Sequence, residues 1–352
     1  MKRFEYLRPT TIADAVSAAS APGAAYLAGG TNLLDLMKGG MTQPDRLVDV
    51  SHLPGLDAIE HRADGSVRIG ARVRNADLAY DPVFARRFPA VAEALLSGAS
   101  AQLRNAATVG GNLLQRTRCS YFYDVASACN KRTPGAGCEA RGGDTRLHAV
   151  IGWSDSCIAT HPSDFCVPLV ALDAVVEIEG KRAHRELPLE QLHRLPGDTP
   201  ERETVLEPGD LIVAVRLPPE AASFAANARY LKVRERTSYA FAVVSAAAAL
   251  RIESGTIAGA RIALGGVAPK PWRAHAAEAV LAGARPDDAT FRRAAEVALA
   301  DATPSGDNAF KIELARRIVT RTLALAAAGT PDRMPALPAS PFAQIAGAFV
   351  HA

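Results

Sequence analysis

No stretch of the 352 residues approaches the ~18 consecutive apolar positions of a membrane-spanning helix. Charge of one sign is also missing. Forty Lys and Arg stand against 37 Asp and Glu, a net of +3, and no basic run stands out. That is too weak a field to argue for nucleic acid. The N-terminal MKRFEYLRPTTIADAV opens with two basic residues, Lys2 and Arg3, but has no apolar segment behind them, so no signal peptide is expected from it. Either a cytoplasmic protein follows, or one exported while bound to a signal-bearing partner. The chain contains no C-x2-C pair, no G-x-G-x-x-G and no P-loop. Zinc-ribbon, bacterial-ferredoxin, Rossmann and Walker chemistries are therefore unsupported. No internal repeat is visible.

What is present is ordinary in bulk: 48% hydrophobic and 22% charged residues, on a length that suits two or three domains. Residues 1–60 read as α/β. TTIADAVSAASA has helical period with Thr10 or Thr11 as N-cap, AAYLAGG is a strand ending in glycines, TNLLDLMKGG is a helix stopped by Gly39 and Gly40, and RLVDVS is a strand. FPAVAEALLSGA predicts an amphipathic helix. FCVPLVALDAVVEIEG predicts a helix and then a strand, KRAHRELPLEQLHRLPG a peripheral loop with a short helix, and DLIVAVRLP a strand ended by Pro218 and Pro219. A boundary is expected near Glu220–Asn227. Beyond it three strand-like runs precede three helical ones, an α+β order distinct from the front half. The Pro- and Ala-rich tail at 331–352 reads as an extended arm.

Two glycine turns carry the first chemical signal. LAGGTNLLDL places Gly29 and Gly30 between strand and helix, with Thr31 and Asn32 as further donors. TVGGN repeats the device with Thr108, Gly110, Gly111 and Asn112. Backbone N–H groups in such turns, beside a helix N-terminus, can face an anion, and two of them suit a diphosphate. Each also occurs as a plain tight turn.

All five cysteines lie between Cys119 and Cys166, in a glycine- and arginine-bearing stretch at about 115–160 and its exit. The spacing from Cys119 through Cys129, Cys138 and Cys157 is wide, and disulfides, a structural zinc or an iron–sulfur cluster all remain open. Gly135, Gly137, Gly142 and Gly143 allow the sharp turns a wrapping loop needs. Arg116, Arg118, Lys131, Arg132, Arg141 and Arg146 are candidates to offset a cluster's negative charge. Cys166 sits in the apolar FCVPLVALDAV and reads as a buried small hydrophobe.

YLAGGTNLLDLMK, ATVGGNLL, HPSD…LVALDA and YLKVRER, in this order and spacing, resemble the FAD-binding subunit of the xanthine dehydrogenase and carbon monoxide dehydrogenase family of molybdenum hydroxylases. The resemblance runs from Phe4 to about Ala328. It implies an α+β fold: a two-part FAD-binding domain of the vanillyl-alcohol-oxidase type at 1–224, and a small C-terminal α+β domain at 225–330 with a three-stranded sheet and helices. It implies that Tyr26, Leu27, Ala28, Gly29, Gly30, Thr31, Asn32, Leu33 and Leu34, with Thr108, Gly110, Gly111 and Asn112, hold FAD. Asp164, Ile212 and Lys232 are added to that set. On the residues alone, Asp164 reads as a helix N-cap and Lys232 as a solvated strand residue.

Most FAD subunits of this family do not have the cysteine insert. Those of aldehyde oxidoreductases with such an insert imply a [4Fe–4S] cluster on Cys119, Cys129, Cys138 and Cys157. The implied role is electron transfer from a partner's [2Fe–2S] clusters to FAD and on to an acceptor. The partners would be a [2Fe–2S] subunit and a molybdenum-cofactor catalytic subunit that oxidises the aldehyde. The implied location is the periplasm, reached in complex with a signal-bearing partner. The alternatives are a stand-alone flavin oxidase, with His148, His161 or Tyr239 as its base, or the FAD subunit of a related molybdenum hydroxylase acting on a heteroaromatic or aryl-CoA substrate.

Overall fold

The computed structural model describes residues 1–332, so the arm expected at 331–352 lies almost wholly outside the described residues. The first unit is a small parallel sheet of β1 (Glu5–Leu7), β2 (Ala24–Leu27) and β3 (Arg46–Asp49), in the order β1-β3-β2. Thr11 caps the first helix, Ile12–Ala19, by accepting from the Asp14 N–H at 3.1 Å. That bond is worth about 1 kcal/mol. The second helix is Leu33–Lys38, ended at Gly39.

A five-stranded antiparallel sheet follows. Its strands are β4 (Ile59–His61), β5 (Val67–Gly70), β6 (Val175–Glu179), β7 (His184–Pro188) and β8 (Leu211–Leu217), in the order β4-β5-β8-β6-β7. The chain leaves this sheet after β5 and re-enters at β6, so the whole cysteine insert is an excursion between two strands of one sheet. β8 stitches the parts together. Leu211 and Val213 pack with Val16, Val48 and Leu53 of the first unit, while Ile212 and Val215 face the larger core. The 184–188 segment, expected as loop, is the edge strand β7. Its alternation is weak because His184, Glu186 and Pro188 face water at a sheet edge.

The 3₁₀ helix Pro219–Asn227 leads into an antiparallel sheet of β9 (Ala228–Val233), β10 (Val244–Glu253), β11 (Thr256–Gly265) and the two-residue β12 (Trp272–Arg273). The three expected strands form, and β12 is a short addition at the edge. Helices His275–Leu281, Asp288–Ala298 and Phe310–Ala327 cover one face. β10 reads Ala246, Ala247, Ala248, Ala249. Ala247 and Ala249 belong to the core of the front domain, Ala246 and Ala248 to the core under the helices. Period-two alternation makes this strand two-faced, and the small side chains let both layers close on it.

A buried ion pair ties the same seam. Glu93, on the helix Pro89–Ser97, accepts from Arg229 Nη2 at 2.9 Å and from the Tyr230 N–H at 2.7 Å, and both side chains are at most 10% exposed. Burial pushes the Glu93 carboxyl up, and the Arg229 and Tyr230 donors act against it. Replacing Arg229 by Met should cost about 3–5 kcal/mol in chemical denaturation, because it leaves a buried charge without compensation. The double change Glu93→Leu with Arg229→Met should recover much of that loss. Equal losses in the single and double variants would show that the pair does not join the domains.

Candidate flavin site and thiol pocket

A cleft of about 780 Å³ opens where the front domain meets the C-terminal sheet. Its floor carries Thr31, Asn32, Gly111, Asn112 and Gln115; its walls carry Arg104, Asp164, Lys232 and the 239–243 loop. A second cavity, about 530 Å³, is lined by Tyr26, Leu113, His193 and Glu207–Asp210. The two share Gln115, Thr160 and Pro162 as lining. The two cavities are therefore neighbours.

The two glycine turns do different work. No partner within the described residues is recorded for the backbone N–H groups of Gly29, Gly30, Thr31, Asn32 and Leu33, which leaves a run of donors free for an anion. Gly30 has φ +71°, a conformation that L side chains rarely adopt. In the second turn, Val109 and Gly110 donate to Val73 O and Ala71 O, both at 2.9 Å, and the Asn112 N–H donates to Thr108 O. Only Gly111, which donates weakly to Thr108 Oγ at 3.3 Å, keeps its backbone turned to the cleft. Gly110 is therefore a packing residue: a Cβ there would lie 3.0 Å from Ala71 Cβ. Gly29 is one as well, since its Cβ would lie 2.0 Å from Ala106 O.

The remaining expected contacts divide in the same way. Tyr26 lines the second cavity and donates to Gly209 O at 2.7 Å. Leu27, Ala28, Leu33, Leu34 and Ile212 line neither cavity, and Ile212 is buried in the core. Asp164 is not an N-cap. Phe165 holds that position, and the nearby Ser163 hydroxyl accepts the Cys166 N–H. Asp164 instead accepts from Lys232 Nζ at 2.7 Å and Tyr230 OH at 2.6 Å, on the cleft wall. Lys232 is not solvated, its side chain being 3% exposed.

The cleft also gathers polar groups that the fold leaves unsatisfied. Asn32 Nδ2, Asn75 Oδ1, Arg104 Nε and Nη2, Arg118 Nε and His148 Nδ1 are buried without partners, and all six atoms belong to residues of this one cleft. Buried polar atoms without partners are costly, so a polar ring system and phosphates fit the place. Asn75 and Arg104 were not legible as site residues in the sequence, and Arg118 was read only as a charge partner of the cysteine insert. Isolated polar positions between apolar ones are their only signal.

The five cysteines are all free thiols. Cys119, Cys129, Cys138 and Cys157 line one small cavity. Cys166 is elsewhere, with His161 and His193, and these three have ligating atoms within 4.8 Å of one another. No other such group occurs among the described residues, so no three of the four cavity sulfurs lie that close together. Two sulfurs bound to one zinc at ~2.3 Å each can be no more than ~4.6 Å apart. The four thiols are thus too spread for a single ion and, being free, are not disulfides. Burial pushes the Cys119 thiol up to about 12, and Cys157 is raised for the same reason. Backbone N–H groups of Tyr121 and Phe122 on Cys119, and of Ala159 on Cys157, oppose it.

The basic residues were expected to balance charge here, and most do not. Arg116 and Lys131 pair with Glu203, Arg118 with Asp35, Arg141 with Asp155 and Arg146 with Glu235. Arg132 holds carbonyl oxygens of Tyr121 and Phe122 at 2.9 and 2.8 Å, so its work is to shape the loop. Lys131 stays on the cavity wall. His148 sits against Cys119, His161 against His193, and Tyr239 is 56% exposed at the cleft mouth.

This geometry defines a flavin-binding, two-domain subunit, and the chain belongs to the FAD-binding subunits of the molybdopterin dehydrogenases. Residues 2–220 match the FAD binding domain in molybdopterin dehydrogenase, and residues 229–326 the CO dehydrogenase flavoprotein C-terminal domain. The chain is 51% identical over 333 residues to the aldehyde oxidoreductase FAD-binding subunit PaoB of Escherichia coli, covering 93% of this chain and 99% of that one. It is 28% identical to the carbon monoxide dehydrogenase medium chain of Hydrogenophaga pseudoflava, over 91% of this chain and 96% of that one. A solved carbon monoxide dehydrogenase from the same organism superposes with a TM-score of 0.72 at 29% identity, covering 93% of this chain and 98% of the other.

Gly30→Val strains the free N–H turn and Gly111→Val places methyl groups at the cleft floor, so both should purify with at least tenfold less flavin. Gly110→Ala should keep its flavin and lose stability instead. Flavin absorbance per chain against melting temperature separates the two behaviours.

Proposed function

We propose that this chain is the FAD-binding electron-transfer subunit of a molybdenum-containing aldehyde oxidoreductase, and that it carries a [4Fe–4S] cluster on Cys119, Cys129, Cys138 and Cys157. The observation that carries the reading is the wall the thiol pocket shares with the cleft: Cys119 lines both. Identity of 51% to an aldehyde oxidoreductase subunit over nearly the full length supports the substrate class. When bound, FAD exchanges electrons between a one-electron donor and an acceptor.

The residues of this chain bind and orient it. The N–H groups of Thr31 and Asn32, at the cleft, take the diphosphate, and the second cavity takes the adenosine half beside Tyr26. The Lys232–Asp164 pair fixes a cation at the cleft wall in the dry seam between domains. The buried, partnerless guanidinium atoms of Arg104 supply donors to a ring system. Oxidation of the aldehyde belongs to a molybdenum-cofactor partner. A [2Fe–2S] partner delivers its electrons here in a three-subunit assembly. Four pocket thiols set too far apart for one zinc favour the cluster over a structural ion.

The full chain should purify with flavin and about four irons, and should oxidise no aldehyde alone. Serine at any of Cys119, Cys129, Cys138 or Cys157 should remove the iron, with the flavin retained. Cys166→Ser should keep both. Aldehyde turnover by the isolated chain would promote the stand-alone oxidase, and iron loss only in Cys166→Ser would refute the ligand set. We also propose that the chain reaches the periplasm folded, with a signal-bearing partner. Free thiols have to be loaded while reduced, before export. Cell fractionation should find the chain cytoplasmic once the partner's signal is deleted; periplasmic accumulation without it would refute this route.

A further inference from the structure

We propose that His148 is a positioning residue for electron exit: its Nε2–H donates to Cys119 Sγ and makes that corner the preferred seat of the electron, facing the flavin. The inference rests on the cluster reading above and goes beyond its ligand set.

Four observations converge on this residue. His148 Nε2 lies 3.2 Å from Cys119 Sγ. Its ring is buried, and the residue lines the flavin cleft as Cys119 does. Of the four pocket cysteines, Cys119 alone lines that cleft. The backbone N–H groups of Tyr121 and Phe122 near this sulfur also favour its charged form. An iron-bound thiolate can only accept, so the proton of that contact sits on Nε2. Hydrogen bonds to cluster sulfurs stabilise the extra negative charge of the reduced state and raise its potential.

His148 does not reach this position through its own segment alone. Its carbonyl accepts from Lys311 Nζ at 2.8 Å and from Asn308 Nδ2 at 3.1 Å. Lys311 also donates to Leu147 O and Gly266 O, and Asn308 to Ala149 O. Both residues have no solvent exposure, and both stand at the start of the helix Phe310–Ala327 in the C-terminal domain. Burial pushes the Lys311 amine down to about 7, while three carbonyl acceptors match the three protons of its ammonium form. The C-terminal domain thus grips the backbone of the cleft-lining histidine whose ring contacts Cys119, the thiol that lines both the pocket and the cleft.

The test is an EPR-monitored redox titration of the full, flavin-loaded chain. His148→Phe removes the donor, keeps an aromatic ring, and should move the cluster to a more negative potential at unchanged iron and flavin content. His148→Gln returns an N–H near the Nε2 position and should bring the potential back toward the wild type. A His148→Phe variant with full iron and the wild-type potential overturns the proposal. Should His148→Phe not retain its cluster, the wild type decides: with histidines alone labelled with 15N, pulsed EPR of the reduced cluster should show a coupled nitrogen, and its absence overturns the proposal. A wild type without iron overturns the cluster reading itself, whereas iron with an unmoved potential overturns only the role of His148.

Discussion

The constraint on which the rest depends is the two-faced strand β10. Its alternating alanines serve two cores at once, so the C-terminal sheet cannot leave the front domain without opening both. Small side chains are required on both faces, because larger ones would push the layers apart. The Glu93–Arg229 pair crosses the same seam. Everything of chemical interest lies along it. β9 carries Lys232 to Asp164, the seam leaves the large cleft beside them, and the helix behind β10 reaches over to hold His148.

The insert between the helix Val109–Leu113 and the helix Cys166–Ala171 is held by both domains. Its early part wraps the thiol pocket with Arg132 threaded through its carbonyls. Its late part, Val150 and Ile151, is buried in the C-terminal core. A loop of this length would be entropically expensive to order by itself. Anchoring it at both ends and at the Lys311 clamp spreads that cost over contacts the fold already makes. The same anchoring brings the thiol pocket against the cleft, with Cys119 lining both.

The two glycine motifs look alike as strings and act differently. In the first, the N–H groups of the turn find no acceptor among the described residues. In the second, the same residue types are pulled into hydrogen bonds with Val73 and Ala71. Free N–H donors are therefore concentrated on the first turn, and the second presents Gly111 and Asn112 to the cleft.

Local signals were enough for much of this protein. Period and capping residues predicted most helices and strands, including Thr11 as a cap and Gly39 as a stop, because those preferences act within a few residues. The order and spacing of YLAGGTNLLDL, TVGGN, HPSD and YLKVRER were enough for the family. The polar, glycine-bearing setting of four cysteines separated them from Cys166 in its apolar helix. What no local pattern carried is who meets whom. Edge strand β7 forms because β6 offers it a ladder, against a weak alternation of its own. Asp164 and Lys232, each unremarkable in its own segment, become a buried pair because β9 is packed onto the front domain. His148 gains its place from Lys311 and Asn308, more than 150 residues away in the chain. Pairings across such separations are set by packing two cores on one strand, and that is a property of the closed tertiary structure.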